Sequence, residues 1–408
     1  MTRRVAICSP LRTPVGSFLG SLAPLDAGAL GAVVIEALIT RSGLDPERVD
    51  DVVFSQGYGN GEAPAIGRWS WLAAGMPIET PGFQLDRRCG SGLQAIATAA
   101  MMVETGVADC VLAGGVESMS NVEHYTTAAR KGARLGDMML HDRLTRGRLM
   151  SQPIERFGVI SGMIETAENL AKDYDISREA SDAFALRSHH NAAKAWEEGK
   201  FDAQIVPVEV PRRRGDPVVF DRDEGYRADA TAESLAALRP IDARRDPDAI
   251  VTAGNASQQN DAAAACLVVG EDRLDELGLE PLLWFHSWSA AGCDPSRMGI
   301  GPVPAVERLF ARTGMDWDDI GLIELNEAFA PQALAVMKGW GFGEDDPRRD
   351  MVNVNGSGIS LGHPIGATGI RILADIAYEM HRREVRYGLE TMCIGGGQGM
   401  AAVFERAV

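Results

Sequence analysis

Short runs of consecutive apolar residues alternate with longer amphipathic stretches along most of the 408-residue chain. Residues 5–8, 52–55 and 110–113 are short apolar runs rich in Val, Ile, Leu and Ala, so they predict strands. Residues 27–42 and 92–105 repeat their apolar positions every three or four residues and predict helices. The same alternation resumes late in the chain, with strands predicted at 282–285, 322–325 and 391–394. Strands followed by helices predict an α/β fold.

The two ends of the chain match each other. Gly43-Leu44-Asp45-Pro46-Glu47-Arg48-Val49-Asp50-Asp51-Val52-Val53-Phe54 lies over Gly314-Met315-Asp316-Trp317-Asp318-Asp319-Ile320-Gly321-Leu322-Ile323-Glu324-Leu325, with coinciding apolar positions. Val111-Leu112-Ala113-Gly114-Gly115 also lies over Met392-Cys393-Ile394-Gly395-Gly396. An internal duplication of one α/β unit accounts for both matches. Between the halves, residues 121–249 are richer in Arg, Asp, Glu and Met, with helices predicted at 165–174 and 178–198. Ser177 stands as N-cap of the second. The prolines and arginines from Pro207 to Pro217 mark irregular chain. This predicts an N-terminal half over 1–120, completed by 250–275, an inserted lid over 121–249, and a C-terminal half over 276–408.

The balance of 57 acidic against 40 basic residues gives a net charge of −17, which argues for solubility and against nucleic-acid binding. Six cysteines stand singly, at 8, 89, 110, 266, 293 and 393, with no pairing that suggests a disulfide framework or a metal site. There is no apolar run long enough for a membrane span, and the first residues lead directly into a predicted strand. A reducing cytoplasm is the expected setting.

Two of these cysteines sit in glycine-rich frames. Cys89 lies in Asp86-Arg87-Arg88-Cys89-Gly90-Ser91-Gly92, at a strand-to-helix turn where the helix N-terminus is expected to lower its pKa. Cys393 ends a strand and opens into Gly395-Gly396-Gly397, a loop with backbone N–H groups free for an oxyanion. His363, in Gly362-His363-Pro364, is the histidine set among glycines, where it can move a proton or donate to a carbonyl oxygen. The run around it lacks both G-x-G-x-x-G spacing and G-K-[ST]. Asn326, in Asn326-Glu327-Ala328-Phe329-Ala330, can cap a helix or serve an oxyanion site. The small-residue loop 252–257 leaves room for a long ligand. His189 and His190 lie mid-helix among charges and read as a solvated face rather than as metal ligands. Two thiols and one histidine suit acyl transfer between sulfurs.

These blocks together, across the whole chain, resemble the thiolase family, the acyl-CoA:acetyl-CoA C-acyltransferases. The resemblance implies a five-layered αβαβα fold of duplicated halves with an inserted loop domain. It implies that Cys89 is the acylated nucleophile and that His363 activates it. His363, with a water held by Asn326, would form one oxyanion hole, and the N–H groups of Cys89 and Gly395 the other. Cys393 would be the acid/base at the acetyl α-carbon. Arg227, Ser257 and Ala253 match coenzyme A contacts, Phe329 an acyl-pocket position, and Met163 the loop motif beside that pocket. The implied substrates are acyl-CoA and CoA, with no permanently bound cofactor and no metal, in a homo-oligomeric dimer or tetramer. Residues 130–137 resemble the tetramerisation loop of some members.

Four positions depart from the family pattern: Asp86 replaces Asn, Gly162 replaces the pocket histidine of short-chain enzymes, and Gln258-Gln259 replaces Gly-Leu. They bear on substrate size and polarity. The competing readings are a decarboxylating ketosynthase of the same fold, which would lack the second thiol, a cysteine acyl-thioester hydrolase, and a non-catalytic acyl-CoA carrier.

Overall fold

The computed structural model describes residues 3–160 and 162–408. Its nine long strands, in chain order, are β1 (Val5–Arg12), β2 (Asp51–Ser55), β3 (Gly82–Leu85), β4 (Cys110–Ser118), β5 (Asn260–Gly270), β6 (Leu283–Gly292), β7 (Ile320–Leu325), β8 (Tyr387–Ile394) and β9 (Gln398–Arg406). Their order across the sheet is β7-β8-β9-β6-β1-β5-β4-β2-β3. Each half places an antiparallel pair at the centre and parallel strands outside: β2 runs parallel to β4, and β7 parallel to β8. The two half-sheets join edge to edge, among the described residues, through two ladder pairs, Ala6 with Trp284 and Ile7 with Leu283.

Strand side chains alternate between faces, so each half-sheet can be covered on both. On the outer face of the N-terminal half, Val52 and Phe54 pack with Leu30, Val34 and Leu38 of α1 (Ala27–Ser42) and Trp71 of α2 (Ile66–Ala73). On the other outer face, Leu325 and Leu389 pack with Leu309 of α7 (Pro302–Thr313) and Val336 of α8 (Ala330–Gly339). Between the half-sheets lie α3 (Ser91–Glu104) and α9 (Ile365–Arg383), where Leu93, Ile96, Ile370 and Leu373 meet Val53, Val268, Met392 and Phe404. That gives helix, sheet, helix, sheet, helix: the five layers expected.

α1 and α7 end alike, on left-handed Gly43 and Gly314, each leading to the parallel strand of its half. The first duplicated frame therefore superposes. The second frame does not. Val52 pairs with Leu112, and its counterpart Ile323 pairs with Leu389, so Leu112 corresponds to Leu389 rather than to Cys393. The glycine pairs misled the alignment. Gly114 and Gly115 are inside β4, where a Cβ would strike Phe54 and Gly366, whereas Gly395 and Gly396 lie in the turn after β8.

In the inserted region, α5 (Met163–Asp173) and α6 (Arg178–Glu197) fall where the sequence places them, and Ser177 accepts a hydrogen bond from the Ala180 N–H as N-cap. A short helix, α4 (Arg143–Leu149), is capped by Asp142. The stretch expected to be irregular holds an antiparallel hairpin of Val208–Val210 and Val218–Phe220. Strands of three residues set between prolines leave little alternation to read. His189 is another correction: it is buried, its ring accepting from the Arg227 N–H, while His190 is exposed. Burial first, then the charge of Arg227, pushes the His189 pKa down to about 4.

Candidate functional site

The two central helices cross almost in contact. A Cβ on Gly92 would lie 2.7 Å from the Gly369 backbone nitrogen, and one on Gly369 would lie 2.1 Å from that of Leu93. Only paired glycines allow this approach. It sets the N-termini of α3 and α9 side by side, and those termini carry Cys89 and His363.

The Cys89 turn is sharply bent. Arg88 has φ +50°, a left-handed conformation uncommon for arginine. Its N–H donates to Asp86 Oδ1 at 2.6 Å, and the Arg87 N–H donates to Ser91 Oγ at 2.8 Å. Asp86 thus supplies an acceptor oxygen, which asparagine would supply equally. Gly90 lets Ile394 pack against the turn, since a Cβ there would lie 2.4 Å from the Ile394 side chain. The residue after Ile394 is Gly395, whose N–H donates to the Cys89 sulfur.

Burial decides the resting protonation of both thiols. The Cys89 pKa is raised, not lowered: desolvation outweighs the Gly395 N–H, the Arg88 guanidinium and the helix end. Cys393, fully buried, is held well above the usual thiol range by desolvation, and the neighbouring Cys89 and Cys293 add to the shift. Cys393 packs in an apolar cluster with Met163, Ala256, Met298, Ala328 and Phe329.

His363 is fixed by three contacts. Its backbone N–H donates to Asn260 Oδ1 at 2.9 Å, and its ring Nδ1 lies 2.7 Å from Thr368 Oγ1. The Asn326 amide nitrogen lies 3.5 Å from either ring nitrogen. Burial, then the charges of Arg371 and Arg148, pushes its pKa down to about 3, so the imidazole rests neutral. Asn326 does not cap the following helix; Phe329 occupies that position. Asn326 is buried beside His363, and its Oδ1 has no hydrogen-bond partner among the described residues. The adjacent Glu327 carboxyl accepts from Ser188 Oγ at 2.6 Å and Asn353 Nδ2 at 2.9 Å, tying this loop to α6.

One cavity of about 640 Å³ gathers these groups. Cys89, His363, Gly395, Met163, Arg227, Ala253, Ser257 and Phe329 all line it. Gly162 lines it too, with open space where a side chain would start, as do Gln258 and Gln259. Cys393 and Asn326 stand behind that lining. Sequence reasoning missed Tyr58, Thr145 and Arg148, which also face the cavity. It missed Thr368 and Asn260 behind His363, and Glu117, whose carboxylate accepts from the N–H groups of Gly57, Tyr58 and Gly366 at 2.9, 3.1 and 3.0 Å. Thr368 is one helical turn beyond His363 and could have been found by spacing; the others have no local signal.

Family models for the thiolase N-terminal domain and the thiolase C-terminal domain match residues 5–272 and 279–406. The acetyl-CoA acetyltransferase of Chromobacterium violaceum is 46% identical, over 98% of this chain and 99% of its own. The β-ketothiolase BktB of Cupriavidus necator is 45% identical, with 100% of both chains covered. Among solved structures, the Bacillus anthracis acetyl-CoA acetyltransferase superposes with a TM-score of 0.93 at 41% identity, covering 100% of this chain and 99% of that one. Human mitochondrial 3-ketoacyl-CoA thiolase in complex with CoA superposes with a TM-score of 0.91 at 36% identity, covering 100% and 98%.

Proposed function

The chain belongs to the thiolase family, and on that premise we propose that it cleaves 3-ketoacyl-CoA with CoA, or runs the reverse Claisen condensation, through an acyl group on Cys89. The observation that carries this reading is the convergence of Cys89, neutral His363 and the Gly395 N–H on one cavity.

Because burial keeps the resting Cys89 thiol protonated, a base must remove its proton when substrate is bound. With Nδ1 held at Thr368, His363 has Nε2 left to take it. The sulfur then attacks the keto carbon, the bond between the α- and keto carbons breaks, and the acyl group stays on Cys89. The departing acetyl-CoA carbanion, a far stronger base than a thiolate, takes a proton from Cys393, which burial keeps protonated at rest. The thiol of CoA then gives its proton to the Cys393 thiolate and attacks the acyl-Cys89 thioester; shortened acyl-CoA leaves, and the released Cys89 thiolate takes its proton back from His363. Negative charge develops on two oxygens in turn. The Gly395 and Cys89 N–H groups face one; His363 with a water on Asn326 faces the other, and the unpartnered Asn326 Oδ1 supports that role. Arg227, Ser257 and Ala253 would hold the coenzyme, and Phe329 and Met163 the acyl group.

A Cys393 thiol argues against the ketosynthase reading, which has no use for it. Neither the hydrolase nor the carrier reading gains an observation. No helix among the described residues is long and apolar enough to cross a membrane. We place the enzyme in the reducing cytoplasm, where both thiols stay free. We also read it as a homo-oligomer, because the 130–140 segment exposes Leu135, Met138, Met139 and Leu140 together. Incubation with acetyl-CoA followed by peptide mass mapping tests the central step. The acetyl group is expected on Cys89; acetyl confined to Cys393 overturns the assignment.

A further inference from the structure

On a protein of net charge −17, the cavity is lined by Arg88, Arg148, Arg227 and Arg245 against the single acid Asp242. The four arginines fall into two groups. Arg227 and Arg245 belong to the 220–257 stretch: Arg227 bonds the Glu224 carbonyl at 3.1 Å, and Arg245 pairs with Asp242 at 3.9 Å. These suit the coenzyme. Arg88 and Arg148 stand instead around the reacting groups. The Arg88 charge acts on the Cys89 sulfur, and the Arg148 charge acts on His363.

This second pair is held in place from the protein side. Arg88 donates to the Gly147 carbonyl at 3.2 Å and lies 5.9 Å from the Tyr58 ring centre. Arg148 hydrogen-bonds the Tyr58 hydroxyl. Thr145 and Ser151 line the same wall, and Thr145 and Arg148 are one turn apart on α4. Neither guanidinium forms an ion pair among the described residues; the neighbouring Arg143 takes Glu123 instead. The phosphates of a coenzyme cannot satisfy them, because the long uncharged pantetheine arm separates the phosphates from the thioester at Cys89. Two positioned guanidiniums on the cavity wall, neither in an ion pair, match a carboxylate in charge and geometry, and the nearby Asp86 does not line the cavity.

We infer that the acyl chain this enzyme prefers ends in a carboxylate: its 3-ketoacyl-CoA substrate derives from a dicarboxylic acid, bound by Arg148 and Arg88. This rests on the thiolase reading and deepens it. The open space over Gly162 leaves room in the same cavity for a chain longer than acetoacetyl.

The test compares thiolysis of two CoA thioesters of equal length: that of a six-carbon 3-keto dicarboxylic acid and that of 3-ketohexanoic acid. One desolvated charge-assisted contact predicts a kcat/KM ratio of roughly 10- to 100-fold in favour of the diacid. Arg148→Met should reduce that ratio by about tenfold or more, Arg148→Lys should retain part of it, and Tyr58→Phe should weaken it through Arg148. A wild-type preference for the neutral chain overturns the inference alone. So does an Arg148→Met variant that slows both substrates equally, since the arginine then serves the chemistry rather than recognition. Absence of thiolysis on every 3-ketoacyl-CoA removes the underlying reading, and the inference with it.

Discussion

Replacing Gly369 by alanine tests how the fold positions its reacting groups. The new Cβ would lie 2.1 Å from the Leu93 nitrogen and 2.7 Å from the Gly92 carbonyl carbon, both backbone atoms that no rotamer change can move. Relief to an ordinary contact takes the two central helices apart by about 1.3 Å. Alanine gains about 1 kcal/mol of helix propensity over glycine, while overpacking of this kind costs about 1–3 kcal/mol and occasionally more, so a modest net loss of stability is expected. The larger effect is on rate. Cys89 stands just before α3 and His363 just before α9, so the separation appears between them. A misplacement near 1 Å costs roughly 100-fold in rate, about 2.7 kcal/mol of barrier. The assay is thiolysis of acetoacetyl-CoA by CoA, with circular dichroism and a thermal melt to confirm folding. Gly343→Ala is the control, because nothing lies within 4 Å of its Cβ position. A folded Gly369→Ala enzyme with kcat/KM within about threefold of wild type refutes the positioning argument.

Cys393→Ala should still acquire acetyl on Cys89 but lose condensation by roughly 100- to 10,000-fold, the usual reach of a general acid/base; normal turnover in a folded variant sinks that role. Glu117, buried, has its carboxyl pushed up to about 7 by desolvation against the opposing N–H groups of Gly366, Gly57 and Tyr58. Its folded pKa exceeds its unfolded value of 4.5, so the native state binds the extra proton and stability falls as pH rises from about 4.5 to about 7, by a total on the order of 3 kcal/mol. Glu117→Gln should flatten the dependence of the thermal midpoint on pH across that window; an unchanged slope in melts at pH 5 and pH 8 shows that Glu117 does not titrate there.

Much of the fold was legible because its signals are local. Residues 27–42 form a helix to the residue, since Asp26 caps it, apolar positions repeat along it, and Gly43 ends it in a left-handed turn. The candidate site was legible for a similar reason: Cys89, His363 and Gly395 each sit at an element end marked by glycine. What escaped depends on partners far away in sequence. The four-residue error in the second repeat arose because Gly114-Gly115 and Gly395-Gly396 look alike, yet one pair admits Phe54 and Gly366 within a strand and the other turns the chain. Arg148 is one of three arginines in a seven-residue helix, and nothing in that run distinguishes it from Arg146.

The protonation of Cys89 shows the same division in its chemistry. The sequence displays what lowers a thiol pKa, a helix start and two arginines, because these lie beside it in the chain. It hides what raises it, since burial is made by Ile394, the α9 turn and the lid, all distant. On the proposed mechanism a thiol held protonated in this way would need His363 to become a nucleophile. That dependence explains why His363 must be both close and neutral: a protonated imidazole could not accept the proton, and the same burial that raises the Cys89 pKa lowers that of His363 to about 3. The same burial thus sets the resting state of both groups, a protonated thiol and a neutral imidazole on one cavity, and a change that let water in would shift both pKa values toward their ordinary ones and narrow the gap between them.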